Sequence, residues 1–293
     1  METKEKTLYS AIPMRTWRWL GVNEAYAPDD VAVAVAEKTA DGKGVEEPVL
    51  HKSVAAGEER TETLLYRTEQ TGRVVIDVAA GGKLHLTKIQ LLPTDKGHVD
   101  TLEINVADGG EAHVTIAELG ASRTVTKVQI NLDGDSSLGD LAAVYLGSGS
   151  QQVDLNYVIC QKGRKTRADM QVRGALMGRS DKIFRGTLDF RKGSKGSVGR
   201  EREEVVLLNE GVRNRSVPLM LSGEDDVDGH HAVSVGKMDQ EKLFYVMSRG
   251  LDLAEAQRLV VEASFNPVLE RITDKDLRAE AEHYIEELIA DGK

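Results

Sequence analysis

The sequence predicts a mainly β chain, a parallel β-helix followed by a helical C-terminal segment. Three observations lead there. From about residue 72 to 236, short stretches alternate apolar and polar residues, among them Arg73–Val78, Leu102–Val106, Thr126–Leu132 and Val153–Val158. Each reads as a strand with one apolar face. Turn signals separate them, such as Ala80-Gly81-Gly82, Asp108-Gly109-Gly110 and Asp133-Gly134-Asp135. The third observation is a repeat: the segment Ile76–Leu86, with Gly81-Gly82 and His85, is echoed 28 residues later by Ile104–Val114, with Gly109-Gly110 and His113. A weaker copy starts 26 residues further on, at Ile130-Asn131-Leu132-Asp133-Gly134. A fixed period in this range marks a stacked array. The units are strand, turn, strand, which excludes a helical solenoid. An antiparallel sandwich is the runner-up.

Residues 1–70 read as an entry and linker segment. Both tryptophans, Trp17 and Trp19, lie in it, and the charged stretch from Asp41 to Arg60 has no sustained period and reads as loop. Residues 71–238 form the expected β-helix core. Residues 239–293 read as helical. Asp239 is a good N-cap, Leu243, Phe244, Val246 and Met247 make an apolar stripe, and Gly250 sits where a C′ glycine belongs. A second helix runs from about Leu253 to Phe265 and stops at Asn266-Pro267. A third begins near Asp274 and carries Leu277, Ala281, Tyr284, Ile285 and Leu288. A solenoid's last coil is an open edge that a helical cap would protect. Three helices exceed that need, so they read as a self-contained docking module whose removal leaves the β-helix folded.

Composition narrows the function. With 38 Lys and Arg against 48 Asp and Glu, the net charge is −10. Such a chain repels phosphate backbones and anionic lipid, so neither nucleic acid nor membrane is an expected partner. The single cysteine, Cys160, excludes an intrachain disulfide scaffold. No window approaches the roughly 18 apolar residues of a membrane helix. The first residues hold no apolar run of signal-peptide length, so the expected location is the cytoplasm.

Several motifs invite chemistry. Gly193–Gly199 is glycine-rich, but no P-loop spacing fits it, and Arg200–Glu204 after it is a charge run. His85 and His113 occupy equivalent repeat positions, so stacking would align them. They form either a two-histidine metal site or a pair of outward-facing polar residues, and the absence of HExxH or CxxC patterns favours the second. Cys160, in Tyr157-Val158-Ile159-Cys160, reads as a small buried hydrophobe. Asp225, Asp226 and Asp228 precede His230-His231. Adjacent strand residues face opposite sides, so one functional histidine with a spacer is expected, not a pair.

From about Gly178 onward the chain resembles the SufB/SufD family, the β-helical subunits of the SUF iron–sulfur cluster assembly machinery. The resemblance runs through Phe184-Arg185-Gly186, Val205–Asn209, Ser216-Val217-Pro218-Leu219, and Asp225-Asp226-Val227 leading into His231–Gly236. It continues through Leu243-Phe244-Tyr245-Val246-Met247-Ser248-Arg249-Gly250 and Ala256–Val260, and Pro13–Trp19 resembles the family's aromatic entry segment. The resemblance implies a right-handed parallel β-helix and a non-enzymatic scaffold. It further implies pairing with a SufB-like subunit, a SufC-like ATPase held by the C-terminal helices, and indirect dealings with a cysteine desulfurase. By the same resemblance Leu243, Phe244, Tyr245, Ser248, Arg249 and Gly250 would dock the ATPase. His231 matches the family's functional histidine and would ligate iron or a transient cluster at the partner interface; His230 has no such counterpart. Ala232 stands where the SufB branch has glutamate, and no cysteine follows Cys160, so the chain resembles the SufD side. Set against the resemblance, the sequence reads as short for the family, with most of an N-terminal helical domain expected to be missing. A flavin is implied by the family alone, and the sequence shows no flavin motif. The rival readings are a β-helix carbohydrate-active enzyme, which needs paired carboxylates on one face, and a purely structural β-helix.

Overall fold

The computed structural model describes residues 8–13, 18–31, 49–238 and 240–291. Two short strands, β1 (Leu8–Ala11) and β2 (Glu24–Tyr26), pair antiparallel near the N-terminus. Fourteen further strands alternate between two seven-stranded sheets. One sheet holds β3 (Leu50–Val54), β5 (Thr71–Val78), β7 (Gly97–Val106), β9 (Arg123–Leu132), β11 (Gln152–Gln161), β13 (Asp181–Phe190) and β15 (Arg213–Ser222). The other holds β4 (Glu59–Tyr66), β6 (Lys83–Gln90), β8 (Glu111–Glu118), β10 (Leu138–Gly147), β12 (Arg167–Leu176), β14 (Ser197–Leu207) and β16 (Val227–Lys237). Every neighbouring pair in both sheets is parallel. The chain is therefore a parallel β-solenoid with two strands per turn.

The sequence repeat is the coil-to-coil register. Ile76 lies beside Ile104 and Ile104 beside Ile130, and the ladder continues through Ile159 and Leu188 to Met220. These side chains point between the sheets, where most of them are fully buried in one continuous core. The turns stack too: Gly81 N–H donates to the Asp108 carbonyl at 2.9 Å and Gly109 N–H to that of Asp135 at 2.8 Å.

The stretch expected as loop over residues 41–60 proves to hold β3 and the start of β4; residues 41–48 lie outside the described residues. Its charges hid the strands because this first coil is thinly covered. Lys52, Arg60 and Glu62 stand in the inward-facing rows beside Ile76, Leu84 and Leu86, and both cations pair with Glu62 there, which replaces the apolar alternation with charge.

The C-terminal helices are α1 (Gln240–Ser248), α2 (Leu253–Leu269) and α3 (Lys275–Asp291). Asp239, the expected first cap, lies outside the described residues. Asp252 and Glu255 form a reciprocal capping box on α2, and Asp274 accepts the N–H groups of Asp276 and Leu277 at the start of α3. The expected stop of the second helix at Pro267 is corrected: α2 runs on to Leu269 with Pro267 inside it. The proline removes one N–H near the helix end, while Val268 and Leu269 just beyond it are buried.

The cap and the self-contained module are corrected together. The helices α2 and α3 lie on the outer face of the β4–β16 sheet, not over the last coil. Val261, Phe265, Leu269 and Ile285 join Ile89, Val144 and Leu146 in a second core. Removing residues 239–293 would strip an apolar face of the solenoid, so it does not test docking. Among the described residues no helix is long and apolar enough to cross a membrane.

The N-terminal segment straps the opposite face. Ile12 and Val22 pack against Ile183, Val217 and Leu219, while Ala25 and Val31 pack against Val99 and Val125. Arg185, fully buried, holds the strap: it donates to the Val22 and Glu24 carbonyls and grips Asp154 with both terminal nitrogens. Burial pushes the Asp154 carboxyl up although Arg185 pulls it down, so the pair depends on the arginine staying in place. Truncating one partner of a buried pair typically costs about 3–5 kcal/mol. Arg185→Ala is therefore expected to lower stability by about that amount in a urea titration, and a loss below about 1 kcal/mol would show that other contacts hold the strap.

Candidate functional site

The last coil departs from the pattern of the others. In the β4–β16 sheet an inward ladder runs Leu86, Val114, Leu141, Met170, all buried. The next two rungs are Glu201 and His231. The ladder beside it runs Ala143, Val172, Glu203, Val233. Glu201 thus occupies a place that the four preceding coils fill with aliphatic side chains, the first coil having Glu62 there, while the Glu203 ladder already holds buried Lys88 in an early coil. Glu203 is satisfied in part: Tyr145 donates to it at 2.9 Å and Lys182 pairs with it in full burial. Lys182 also donates to Ser216 Oγ at 3.0 Å. Burial lowers the Lys182 ammonium to about 8 although Glu203 opposes the shift.

Glu201 has no such partner. Its residue is 3% exposed, and neither carboxylate oxygen accepts a hydrogen bond. Burial, reinforced by the charge of Glu203, pushes its carboxyl up to about 8. The carboxylate packs so closely on Gly186 of β13 that no side chain fits there. One rung further, His231 is exposed. Val233 and Val235, on the same inward face, are 38% and 47% exposed. This coil lacks a following coil, so its inner face is open to solvent. His230 lies on the outward face opposite Arg200 and pairs with Asp228 at 2.8 Å. The structure thus separates the two histidines as alternation requires. The charge run Arg200–Glu204 proves to be part of β14, with Glu201 and Glu203 inside and Arg200 and Arg202 outside. The signal that could have found Glu201 is this period of two within Arg-Glu-Arg-Glu.

On α1, Phe244 is 75% exposed and Tyr245 58%. The Arg249 guanidinium lies 5.0 Å over the Tyr245 ring and donates to its hydroxyl at 2.9 Å, while Ser248 Oγ donates to the Tyr245 carbonyl. Leu243 turns toward the second core, and Gly250, at φ +103°, ends the helix. Tyr245, Ser248 and Arg249 are thus linked at the C-terminal end of α1, with Phe244 exposed beside them and Leu243 turned inward.

The remaining candidates fall elsewhere. His85 and His113 stack one coil apart, 5.0 Å between ring centres and 9° from parallel. They face outward, and among the described residues no group of three or more His, Cys, Asp or Glu is arranged to hold a metal. His113 instead helps hold Asp140, the carboxylate through which Arg271 ties the helices to the solenoid. Its Nδ1 lies 3.2 Å from Asp140 and its Nε2 3.1 Å from Glu111. Carboxylates only accept, so with both bonds made both ring nitrogens carry protons. Arg271, between α2 and α3, donates twice to the same Asp140, at 3.1 and 2.8 Å.

Cys160 is buried, as expected, but not in the apolar core. It lies in an outward ladder between Asn131 and Asp189, with Asp189 3.9 Å away. Burial pushes its thiol up against the pull of Arg191, which disfavours the thiolate. The Gly193–Gly199 stretch is a turn leading into β14, and the Glu224 carboxylate accepts the Gly193 N–H at 3.0 Å. An acid in that position repels phosphate.

Comparison with known proteins points one way. The family profile described as SUF system FeS cluster assembly, SufBD core domain, matches residues 51–264. The chain is 30% identical to the iron–sulfur cluster assembly protein SufD of Bacillus subtilis over 163 residues, 56% of this chain and 37% of that protein. A SufBD family protein of Mycobacterium tuberculosis is 24% identical over 251 residues, 76% of this chain and 63% of that one. A chloroplastic SufBD family protein of Arabidopsis thaliana is 23% identical over 161 residues, 55% and 29% of the respective chains. The match spans less than two thirds of each of these relatives.

The His113 latch has a pH signature. Hydrogen bonds donated by its ring to the Asp140 and Glu111 carboxylates raise the His113 pKa against the opposing effect of burial. Its contribution is full below the unfolded value near 6.5 and is lost as pH rises through the raised folded value. Asp140 is held low by His113 and Arg271 although burial opposes this, so its contribution is lost only in acid. The melting temperature is therefore expected to fall from pH 6 to pH 9 more steeply in the wild type than in His113→Gln. Parallel pH profiles would show that the latch adds nothing.

Proposed function

The chain belongs to the SufBD core family of the SUF iron–sulfur cluster assembly system, and on that premise we propose that it is a SufD-like scaffold subunit. In this reading it pairs with a SufB-like β-helix through its last coil and holds a SufC-like ATPase on α1. It has no catalytic activity alone, and iron or a nascent cluster is its cargo. The observation that carries the reading is the open inner face of β16, with His231, Val233 and Val235 in line beside buried Glu201 and Glu203.

Physical chemistry supports each part. Both sheets end at this coil, in β15 and β16, so two edges with unpaired backbone groups lie side by side. Such edges pair with another chain unless they are protected. Exposed valines facing a solenoid interior are what a second solenoid end would cover. His231 offers an imidazole nitrogen, a suitable ligand for iron. On α1 an exposed aromatic pair with an arginine over one ring has the composition of a binding hot spot. ATP-driven dimerisation of two ATPase subunits would pull on the helices, and α2 and α3 would transmit the strain to the solenoid face they cover.

Two experiments test this. In cells whose own gene is deleted, His231→Ala is expected to lower the activity of a cluster-dependent reporter enzyme at least tenfold while complex formation survives. His230→Ala is expected to change it less than twofold. If His231→Ala keeps activity, or loses it only with a lowered melting temperature, the site lies elsewhere. For docking, Phe244→Ala with Tyr245→Ala is expected to weaken ATPase binding at least tenfold in a titration with the purified partner, with an unchanged circular dichroism spectrum. Unaltered affinity would move docking away from α1.

A further inference from the structure

The Glu201 carboxylate makes no hydrogen bond or ion pair among the described residues. In its ladder only Glu62, in the first coil, is also charged; the four rungs between them are Leu86, Val114, Leu141 and Met170, and Met170 and Val205 belong to the core beside it. A methionine or leucine there would continue the packing. The chain instead buries a carboxyl group with two oxygens that meet no donor, an arrangement that costs stability wherever it occurs. Unexplained buried polar groups of this kind mark sites where stability has been given up for function. Glu203 cannot fill the same role, because Tyr145 and Lys182 already engage it. The neighbour on the open side of Glu201 is His231, in register on the same face of an adjacent strand. Strands in a sheet lie about 4.8 Å apart, within the span that one cation bridges with a nitrogen and an oxygen ligand. Among the described residues no hydrogen bond or ion pair engages the His231 ring.

We propose that Glu201 and His231 together form a half-site for a divalent cation of the ferrous type at the open end of the solenoid. Glu201 supplies a carboxylate oxygen from the interior and His231 an imidazole nitrogen from the last strand. The mixed oxygen and nitrogen donors suit Fe²⁺ or Mn²⁺. Water, or a surface laid over the end, fills the remaining positions. This rests on the reading of His231 as part of the assembly site and adds a second, buried ligand to it.

The test uses the purified full chain under anaerobic conditions, titrated with Fe²⁺ alone and with Mn²⁺ followed by its electron paramagnetic resonance signal. The wild type is expected to bind one equivalent saturably, and Glu201→Gln and His231→Ala are each expected to weaken binding at least tenfold. Glu201→Leu is the companion variant. It restores the aliphatic ladder and is expected to raise the urea midpoint while abolishing binding, a combination that a merely structural role does not produce. The inference is overturned by absence of saturable binding to the wild type, or by wild-type affinity in either folded Glu201 variant. Reporter activity in cells separates this from the proposed function. If His231→Ala keeps that activity while both variants lose Fe²⁺, the functional reading fails and the cation site stands. If His231→Ala abolishes it while Glu201→Gln binds Fe²⁺ normally, the cation site fails alone.

Discussion

Each coil of this solenoid sets its residues directly beside their equivalents in the next, about 4.8 Å away. That parallel, in-register stacking pairs every interior strand on both edges and sends alternate side chains into the space between the sheets. A position that is apolar in one coil therefore tends to be apolar in the next, as Ile76, Ile104, Ile130 and Ile159 are, and a charge placed in such a row, as at Lys88 or Glu203, has to find its partner inside. The same stacking leaves a last coil with nothing beyond it. The inward face of β16 is then exposed by construction, and its residues escape the demand for apolar character.

Both outer faces are also occupied, by different devices. The face of the β4–β16 sheet is covered by α2 and α3, whose apolar sides meet aliphatic residues near the strand ends. The face of the other sheet is covered by the N-terminal strap, whose backbone carbonyls are met by Arg185, with Arg123 and Arg215 reaching others. A strap held by guanidinium groups on carbonyls has little tolerance for truncation of those side chains, because the buried charges would be left unpaired. The helix pair is held by apolar contact and by several polar ties, among them Arg271 to Asp140, Arg67 to Glu280 and the Tyr284 hydroxyl to the Leu92 carbonyl.

The polar groups inside the solenoid are graded. Near the start, Lys88 is enclosed by Asp100 and Glu118, both at 2.6 Å. Although burial opposes it, Lys88 with His98 holds the Asp100 carboxyl at about 2. That cluster is closed on itself. Toward the open end both donors, Tyr145 and Lys182, go to Glu203, and Glu201 is left without one. Burial without a partner is what distinguishes the end of the solenoid electrostatically from its beginning.

Much of this was legible in the chain. Period-two alternation and the 28-residue echo exposed the coils, because a residue facing the interior must match its counterpart one coil away. His85 over His113 followed from the same rule. The separation of His230 from His231 needed only alternation. The motif around His231 and the Phe244–Gly250 stretch carried the family. What the tertiary structure alone decided is where surfaces end. Local pattern cannot say that helices cover a face and leave the last coil bare, since their apolar stripes fit either. It cannot separate a solvated charge run from Glu201 and Glu203 turned inward, because that depends on which edge of β14 is paired and what lies across the interior. Nor could it place Cys160 in an outward polar ladder while Ile159 beside it points into the core. Pattern specifies which side of a strand a residue occupies, and packing alone specifies what meets it there.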